Sequence, residues 1–213
     1  MTGRPKAART VPEMLRLERL LWDLGYQRVA GVDEVGLGPL AGPVVAAAVV
    51  FPIDPPVLEV ADSKRLTARK RERLDAEIRK HAAAVAIGVV EVHDVDRLGV
   101  REAGVEAMRR AVVGIDPPPD YLLVDACRIP GVSIAQSAFA KADSFIFSVA
   151  AASIVAKVFR DHLMRELDRT FPGYGFGAHM GYGTRQHIRA LARLGPSPVH
   201  RRSFEPVRRL LGQ

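Results

Sequence analysis

Residues 29–43 read VAGVDEVGLGPLAGP, in which adjacent carboxylates, Asp33 and Glu34, end an apolar run of strand-like composition and a glycine- and proline-rich loop follows. A buried carboxylate is stable only when it is paired, hydrogen-bonded or bound to a cation. A hard divalent metal is one such partner. Consecutive strand side chains point to opposite faces, so the two acids would diverge if the strand stayed regular. Gly36 and Gly38 permit a sharp turn straight after them, and one cation could then collect oxygens from both. A solvated strand end is the other reading of the same residues.

Two further acids sit at element boundaries. Asp125 follows the apolar run YLLV, and Asp143 precedes the longest helical pattern of the chain. Four carboxylates without a histidine or cysteine rhythm nearby suit Mg²⁺ or Mn²⁺, which prefer oxygen ligands. The matching chemistry is two-metal phosphodiester hydrolysis, with one ion lowering the pKa of the attacking water and the other stabilising the leaving oxygen. Taken singly, Asp125 also reads as a turn residue and Asp143 as a helix N-cap worth about 1 kcal/mol. His162, His179 and His187 lack the spaced partners of a histidine metal site. Gly36-Leu37-Gly38 after a strand suggests a dinucleotide fingerprint, but that motif must open a helix. Here Pro39, Gly42 and Pro43 lead into another strand.

The elements that must position these groups are legible as periodicities. Leu17, Leu20, Leu21 and Leu24 predict an amphipathic helix over 12–24 with Gly25 as its stop. Strands are expected over 28–33, 44–51, 84–92 and 121–125. Helices are expected over 67–80, capped by Thr67, over 100–113, over 144–171, with Asp143 as its N-cap and Pro172-Gly173 as its end, and over 184–194. Strands early and helices late predict a mixed α/β core with a helical C-terminal portion. No internal repeat interrupts this order.

Composition bounds the rest. The chain has 213 residues, 48% of them hydrophobic, enough for one sizeable core. Thirty-one Lys and Arg against 24 Asp and Glu give a formal charge of +7, which favours an acidic partner such as nucleic acid. The single cysteine, Cys127, excludes an internal disulfide framework and a cysteine-based zinc site, and a reducing, cytoplasmic setting is expected. The basic N-terminus lacks the apolar segment of a secretory signal, so residues 1–11 are expected to be a flexible basic tail. Residues 35–53 carry no charge, but Pro39, Pro43 and Pro52 break them, so no membrane association is expected.

In several ordered blocks over about residues 29–207, the chain resembles ribonuclease HII. The blocks are GVDEVGLGPLAGPVVAAAV, ADSKRL, LLVDA, VAAASIVAKVFRDHLM, GYGT and GPSPVHRRSF. The resemblance implies an RNase H-like fold with a central mixed β-sheet flanked by helices. Residues 12–213 would form a single type 2 domain, with a catalytic core over about 26–171 and a helical C-terminal portion over about 172–213. It implies hydrolysis of the RNA strand of RNA-DNA hybrids, nicking 5′ of ribonucleotides embedded in duplex DNA, and Mn²⁺ or Mg²⁺ held by four catalytic acids: Asp33, Glu34, Asp125 and Asp143.

The resemblance also implies that the glycine loop, Gly36, Leu37 and Gly38, reads the ribose 2′-hydroxyl through backbone groups, that Lys64 contacts phosphate, and that Tyr182 stacks on the following deoxyribose. A monomer is expected. The chain departs from the family at three positions: Leu37 stands where Arg or Lys is usual, and Ala126 and Ala142 stand where glycine is usual. Loss of the basic residue predicts reduced activity or altered preference at single embedded ribonucleotides. A binding module without the chemistry, or a DNA nuclease on the same fold, are the competing functions.

Overall fold

The computed structural model describes residues 10–56, 58–60 and 66–212. Its centre is a five-stranded sheet in the order β3-β2-β1-β4-β5, built from β1 (Val29–Val35), β2 (Val44–Val50), β3 (Ala84–Val90), β4 (Tyr121–Asp125) and β5 (Ala135–Phe139). The first three strands form an antiparallel meander, whereas β4 runs parallel to β1 and β5 parallel to β4. The sheet is therefore mixed, as expected, and sandwiched between helices.

Residue alternation shows why both faces must be covered. β2, VVAAAVV, is buried at every position, the pattern of a strand packed on both sides. Val45, Ala47 and Val49 join Val29 and Leu123 under α6 (Phe147–Thr170). Val44, Ala46, Ala48 and Val50 join Ala30, Val32 and Val124 under α5 (Val100–Val113). The alanines of β2 and of the Ala150, Ala151, Ala152 run in α6 let backbones approach closely. The approach to α6 is close at Gly31 of β1, where a Cβ would lie 2.1 Å from the Ser148 carbonyl carbon.

Several expectations are corrected at this level. The N-terminal helix is two pieces, α1 (Val11–Met14) and α2 (Arg16–Asp23), and its buried face is Met14, Leu15, Glu18, Leu21 and Trp22. Leu20 and Leu24 of the expected stripe are exposed, because they lie off the helical stripe through Met14, Glu18, Leu21 and Trp22 that meets the core. Gly25 does end α2, with φ +99° and the Gly25 and Tyr26 amides donating to the Trp22 and Leu21 carbonyls, a Schellman closure. Helix α4 (Val92–Leu98) and strand β5 lie where no element was expected. Thr67 caps α3 (Ala68–His81) as predicted, its hydroxyl accepting from the Lys70 amide.

Asp143 is not the N-cap of α6. It lies in a separate 3₁₀ turn, Ala142–Ser144, and α6 begins at Phe147. The cap comes from elsewhere in the chain: Glu18 of α2 accepts at 2.8 Å from both the amide and the hydroxyl of Ser148. A carboxylate there satisfies an orphan amide and faces the positive end of the helix dipole. Burial pushes the Glu18 pKa up, and the Ser148 donors oppose that shift. Glu18→Ala is expected to cost about 2 kcal/mol, whereas Glu18→Gln, which keeps an acceptor, stays within about 1 kcal/mol. Urea unfolding of the two variants checks this.

The C-terminal portion, α7 (Phe176–His179), α8 (Arg185–Leu194) and α9 (Glu205–Leu210), packs on the loop between β1 and β2. Ala41 sits in a cluster with Met164, Tyr174, Phe176 and Ala190, and Leu40 in another with Leu191 and Val207. The Leu40 amide donates to the Gly181 carbonyl and the Gly42 amide to the Val199 carbonyl. No helix among the described residues is long and apolar enough to cross a membrane.

Candidate active site

The β1–β4 pair is parallel and in register through Val32 and Val124, so Asp33 and Asp125 follow side by side at the carboxyl ends of neighbouring strands. That edge is where open α/β sheets place ligands. β1 stays regular through Val35, with Asp33 opposite Ala47 and Glu34 opposite Ala46. The turn that was expected to gather the two acids begins only after Val35, at Gly36 with φ +95°. Asp33 points to the α6 side, where the Ser153 hydroxyl donates to it. Glu34 points to the α5 side, against Gly104.

A cleft of about 410 Å³ nevertheless reaches both, and is lined by Asp33, Glu34, Asp125, Ser153, Tyr182 and two cations, Arg71 and Lys157. The cations were not anticipated. Arg71 stands on α3 at 3.7 Å from Asp161, and Lys157 on α6 pairs with the same Asp161 one turn on. Lys157 was legible only as part of the α6 block, since helical spacing does not tell which side of a buried helix meets a cleft.

Asp125 does more than stand at a strand end. Its Oδ1 accepts from the Ala142 amide at 2.6 Å, tethering the turn that carries Asp143. Asp143 is 5% exposed and lies within electrostatic reach of Asp33. Ala126, next to Asp125, has φ +60°, a conformation that costs a non-glycine residue about 1 kcal/mol. That is the physical reason for a glycine at this position; Ala142 has no such strain.

Asp33 is itself 5% exposed. Burial, then the charges of Glu34, Asp125 and Asp143, push its carboxyl well above the usual carboxylate range. Burial, then the Glu34 and Asp125 charges, raises the thiol pKa of Cys127, which suppresses the thiolate. Among the described residues, no three His, Cys, Asp or Glu side chains are drawn into a metal-ligating cluster. The fit to a hard cation lies in the donor set: oxygen only, anionic, and mutually repelling in a buried place.

The loop lies beside this edge. A Cβ on Gly38 would meet Tyr182 Cε1 at 3.6 Å, and Tyr182 is 43% exposed, so the ring is presented outward beside the loop. Leu37 packs on the α5 side of the core against Gly104, which anchors the loop tip by apolar contact. Lys64 lies outside the described residues.

Behind Tyr182, two buried histidines, His187 and His200, form a fixed network. The Ser197 amide donates to His200 Nδ1 at 3.0 Å, so the proton of neutral His200 is on Nε2 and is donated to His187 Nε2, also at 3.0 Å. His187 then carries its proton on Nδ1 and donates to the Tyr182 carbonyl at 2.9 Å. A further proton on either ring would set two donors face to face. Burial, then its histidine neighbours, push the His200 pKa down to about 4. The folded state therefore binds fewer protons than the unfolded chain between pH 6.5 and 4. This contribution is complete above pH 6.5 and is lost as pH falls, by at most about 3 kcal/mol. An NMR titration is expected to place the His200 midpoint near 4; a midpoint near 6.5 would contradict the network.

Comparison with known proteins agrees with this geometry. The family model described as Ribonuclease HII matches residues 30–207. Ribonuclease HII of Geobacillus kaustophilus is 51% identical over 93% of this chain and 76% of its own length. Ribonuclease H2 from Pyrococcus horikoshii superposes with a TM-score of 0.72 at 27% identity, covering 86% of this chain and 96% of its own. Bst-RNase HIII in complex with Mn²⁺ shares the fold, with a TM-score of 0.65 at 21% identity over 90% of this chain and 71% of its own. With a matched family model spanning both the acid-bearing strands and the C-terminal portion, the chain belongs to the ribonuclease HII family.

Proposed function

We propose that this protein hydrolyses the RNA strand of RNA-DNA hybrids and nicks duplex DNA 5′ of embedded ribonucleotides, leaving a 3′-hydroxyl and a 5′-phosphate. The observation that carries the reading is the cleft at the carboxyl ends of β1 and β4, lined by Asp33, Glu34 and Asp125, where burial, then Glu34, Asp125 and nearby Asp143, raises the Asp33 pKa. Asp33, Glu34, Asp125 and Asp143 would hold Mg²⁺ or Mn²⁺. A divalent cation there supplies a lowered pKa for the attacking water and neutralises charge growing on the phosphate.

The chain's own groups do the rest. Asp125 orients the turn of Asp143 through the Ala142 amide. Lys157 and Arg71, which line the same cleft, offer positive charge to the phosphates. Tyr182 offers a face for stacking on the sugar after the cleaved link, and the Gly36 to Gly38 backbone reads the 2′-hydroxyl that separates RNA from DNA. Lys64 is proposed to add a phosphate contact. Residues 12–213 act as one unit in this reading, because the C-terminal portion holds the loop, and the protein acts as a monomer inside the cell.

The test is cleavage of three labelled duplexes, carrying one ribonucleotide, a continuous RNA strand, or DNA only, in Mg²⁺ and in Mn²⁺. Cutting of the first two with a 5′-phosphate product is expected. Binding without cation-dependent cutting would favour a non-catalytic module, and cutting of the DNA-only duplex would favour a DNA nuclease.

A further inference from the structure

Two arginines lie fully buried beneath the glycine loop, Arg160 and Arg201, both 0% exposed. Burying a guanidinium normally calls for a carboxylate partner. Here the hydrogen-bond partners among the described residues are backbone carbonyls. Arg201 donates from Nη2 to Gly36 at 2.6 Å and Gly42 at 2.8 Å, from Nη1 to Leu37 at 3.0 Å, and from Nε to Gly42 at 3.0 Å. Arg160 donates to Pro43 at 2.9 Å, Met180 at 3.0 Å and Ala41 at 3.1 Å. Five carbonyls of the loop and its flank, with that of Met180 from the C-terminal portion, thus point at two like charges. Burial, then the neighbouring Arg160, lower the Arg201 pKa to about 9. A purely structural contact between these elements could be made by apolar side chains without that penalty.

The planarity of the peptide supplies the consequence. In a trans peptide the C=O of one residue and the N–H of the next point in opposite directions. Drawing the Gly36 and Leu37 carbonyls down onto Arg201 therefore turns the Leu37 and Gly38 amides the other way, up from the buried side. Gly38 is the residue against the Tyr182 ring. Gly36 must lack a side chain for this to happen, since its φ is +95° and a Cβ would lie 2.4 Å from Arg160 Nε. The segment that delivers Arg201 is itself held: the Arg201 amide donates to the Leu40 carbonyl, and preceding His200 closes the network behind Tyr182.

We propose that Arg201 is a positioning residue for 2′-hydroxyl recognition: by gripping the Gly36 and Leu37 carbonyls it aims the Leu37 and Gly38 amides at the ribose. The assignment rests on the reading of the loop given under Proposed function. Arg201 touches no substrate; it acts through the peptide planes.

The test measures binding in EDTA, which prevents cleavage, to a DNA duplex with one ribonucleotide and to the same duplex without it. Wild type is expected to favour the ribonucleotide. Arg201→Met is expected to lower that preference about tenfold while its affinity for the all-DNA duplex stays within twofold. Arg201→Lys, which keeps the charge but cannot reach three carbonyls as a planar fork, is expected to fall between them, and serves alone if the Met variant does not fold. A preference unchanged in the variants, or equal losses on both duplexes in step with the melting temperature, overturns the proposal. A wild type with no preference overturns the loop reading itself.

Discussion

Replacing Asp33 with Asn is expected to abolish cleavage, by a factor of 10³ or more, and at the same time to raise the melting temperature of the metal-free protein. The two effects share one cause. Asp33 is buried, and Glu34, Asp125 and Asp143 act on it in the same direction as burial. Its folded pKa therefore lies above the unfolded value, so the native state binds the extra proton and the stability that this group withholds is withheld as pH rises through the raised pKa. Asparagine removes the charge and keeps the shape, which is expected to gain about 1–3 kcal/mol, or about 2–4 °C per kcal/mol for a chain of this size. A thousandfold loss of rate corresponds to about 4 kcal/mol of transition-state stabilisation, a reasonable loss for one anionic ligand of a catalytic cation. Saturating Mg²⁺ or Mn²⁺ is expected to shrink or reverse the difference in melting temperature, because a cation bound by the native wild type adds stability by mass action. Melting curves with and without EDTA, beside a cleavage assay, decide it. A variant less stable in EDTA, or active within tenfold of wild type, would remove Asp33 from the proposed site.

Gly31→Ala is expected to destabilise the fold by about 3 kcal/mol or more. An added Cβ would meet the backbone of α6, at 2.1 Å from the Ser148 carbonyl carbon and 2.3 Å from the Val149 nitrogen. Backbone cannot rotate away as a side chain can, so the helix must lift off β1 at the turn that Glu18 caps. The displacement reaches function, because Gly31 and Asp33 share the α6 face of β1 and Ser153 of α6 donates to Asp33. Gly38→Ala is the contrast: its φ is ordinary and the nearest atom is Tyr182 Cε1 at 3.6 Å, so its stability is expected to stay within about 1 kcal/mol. Urea unfolding of the pair separates a close approach from a general intolerance of substitution at glycine.

The sheet was readable where one strand's composition settled the matter. Tyr121–Asp125 and Val44–Val50 are short, predominantly apolar runs of strand length, and their local chemistry points to strands. β5, AQSAF, is partly exposed and carries no such pattern; it is a strand because β4 presents an edge for it to pair with. The α6 start was misplaced for a related reason. Asp143 has the chemistry of an N-cap, but Glu18 fills that role from a position 130 residues away, and no local window contains both.

For the proposed site, residue types and order were enough to single out Asp33, Glu34, Asp125 and Asp143, since a carboxylate at the end of an apolar run or just before a long helical pattern is conspicuous. Tertiary structure decided what those residues face. Asp33 and Glu34 leave β1 on opposite sides, Asp125 holds the turn of Asp143, Arg71 and Lys157 line the same cleft, and Leu37 packs against the core on the α5 side. Arg201 shows the division most plainly. Its charge is evident from its letter, but its burial beneath a loop 159 to 165 residues earlier depends on how the C-terminal portion docks. Docking is set by summed contacts across the whole chain, so the grip on the Gly36 and Leu37 carbonyls existed only once the chain had folded.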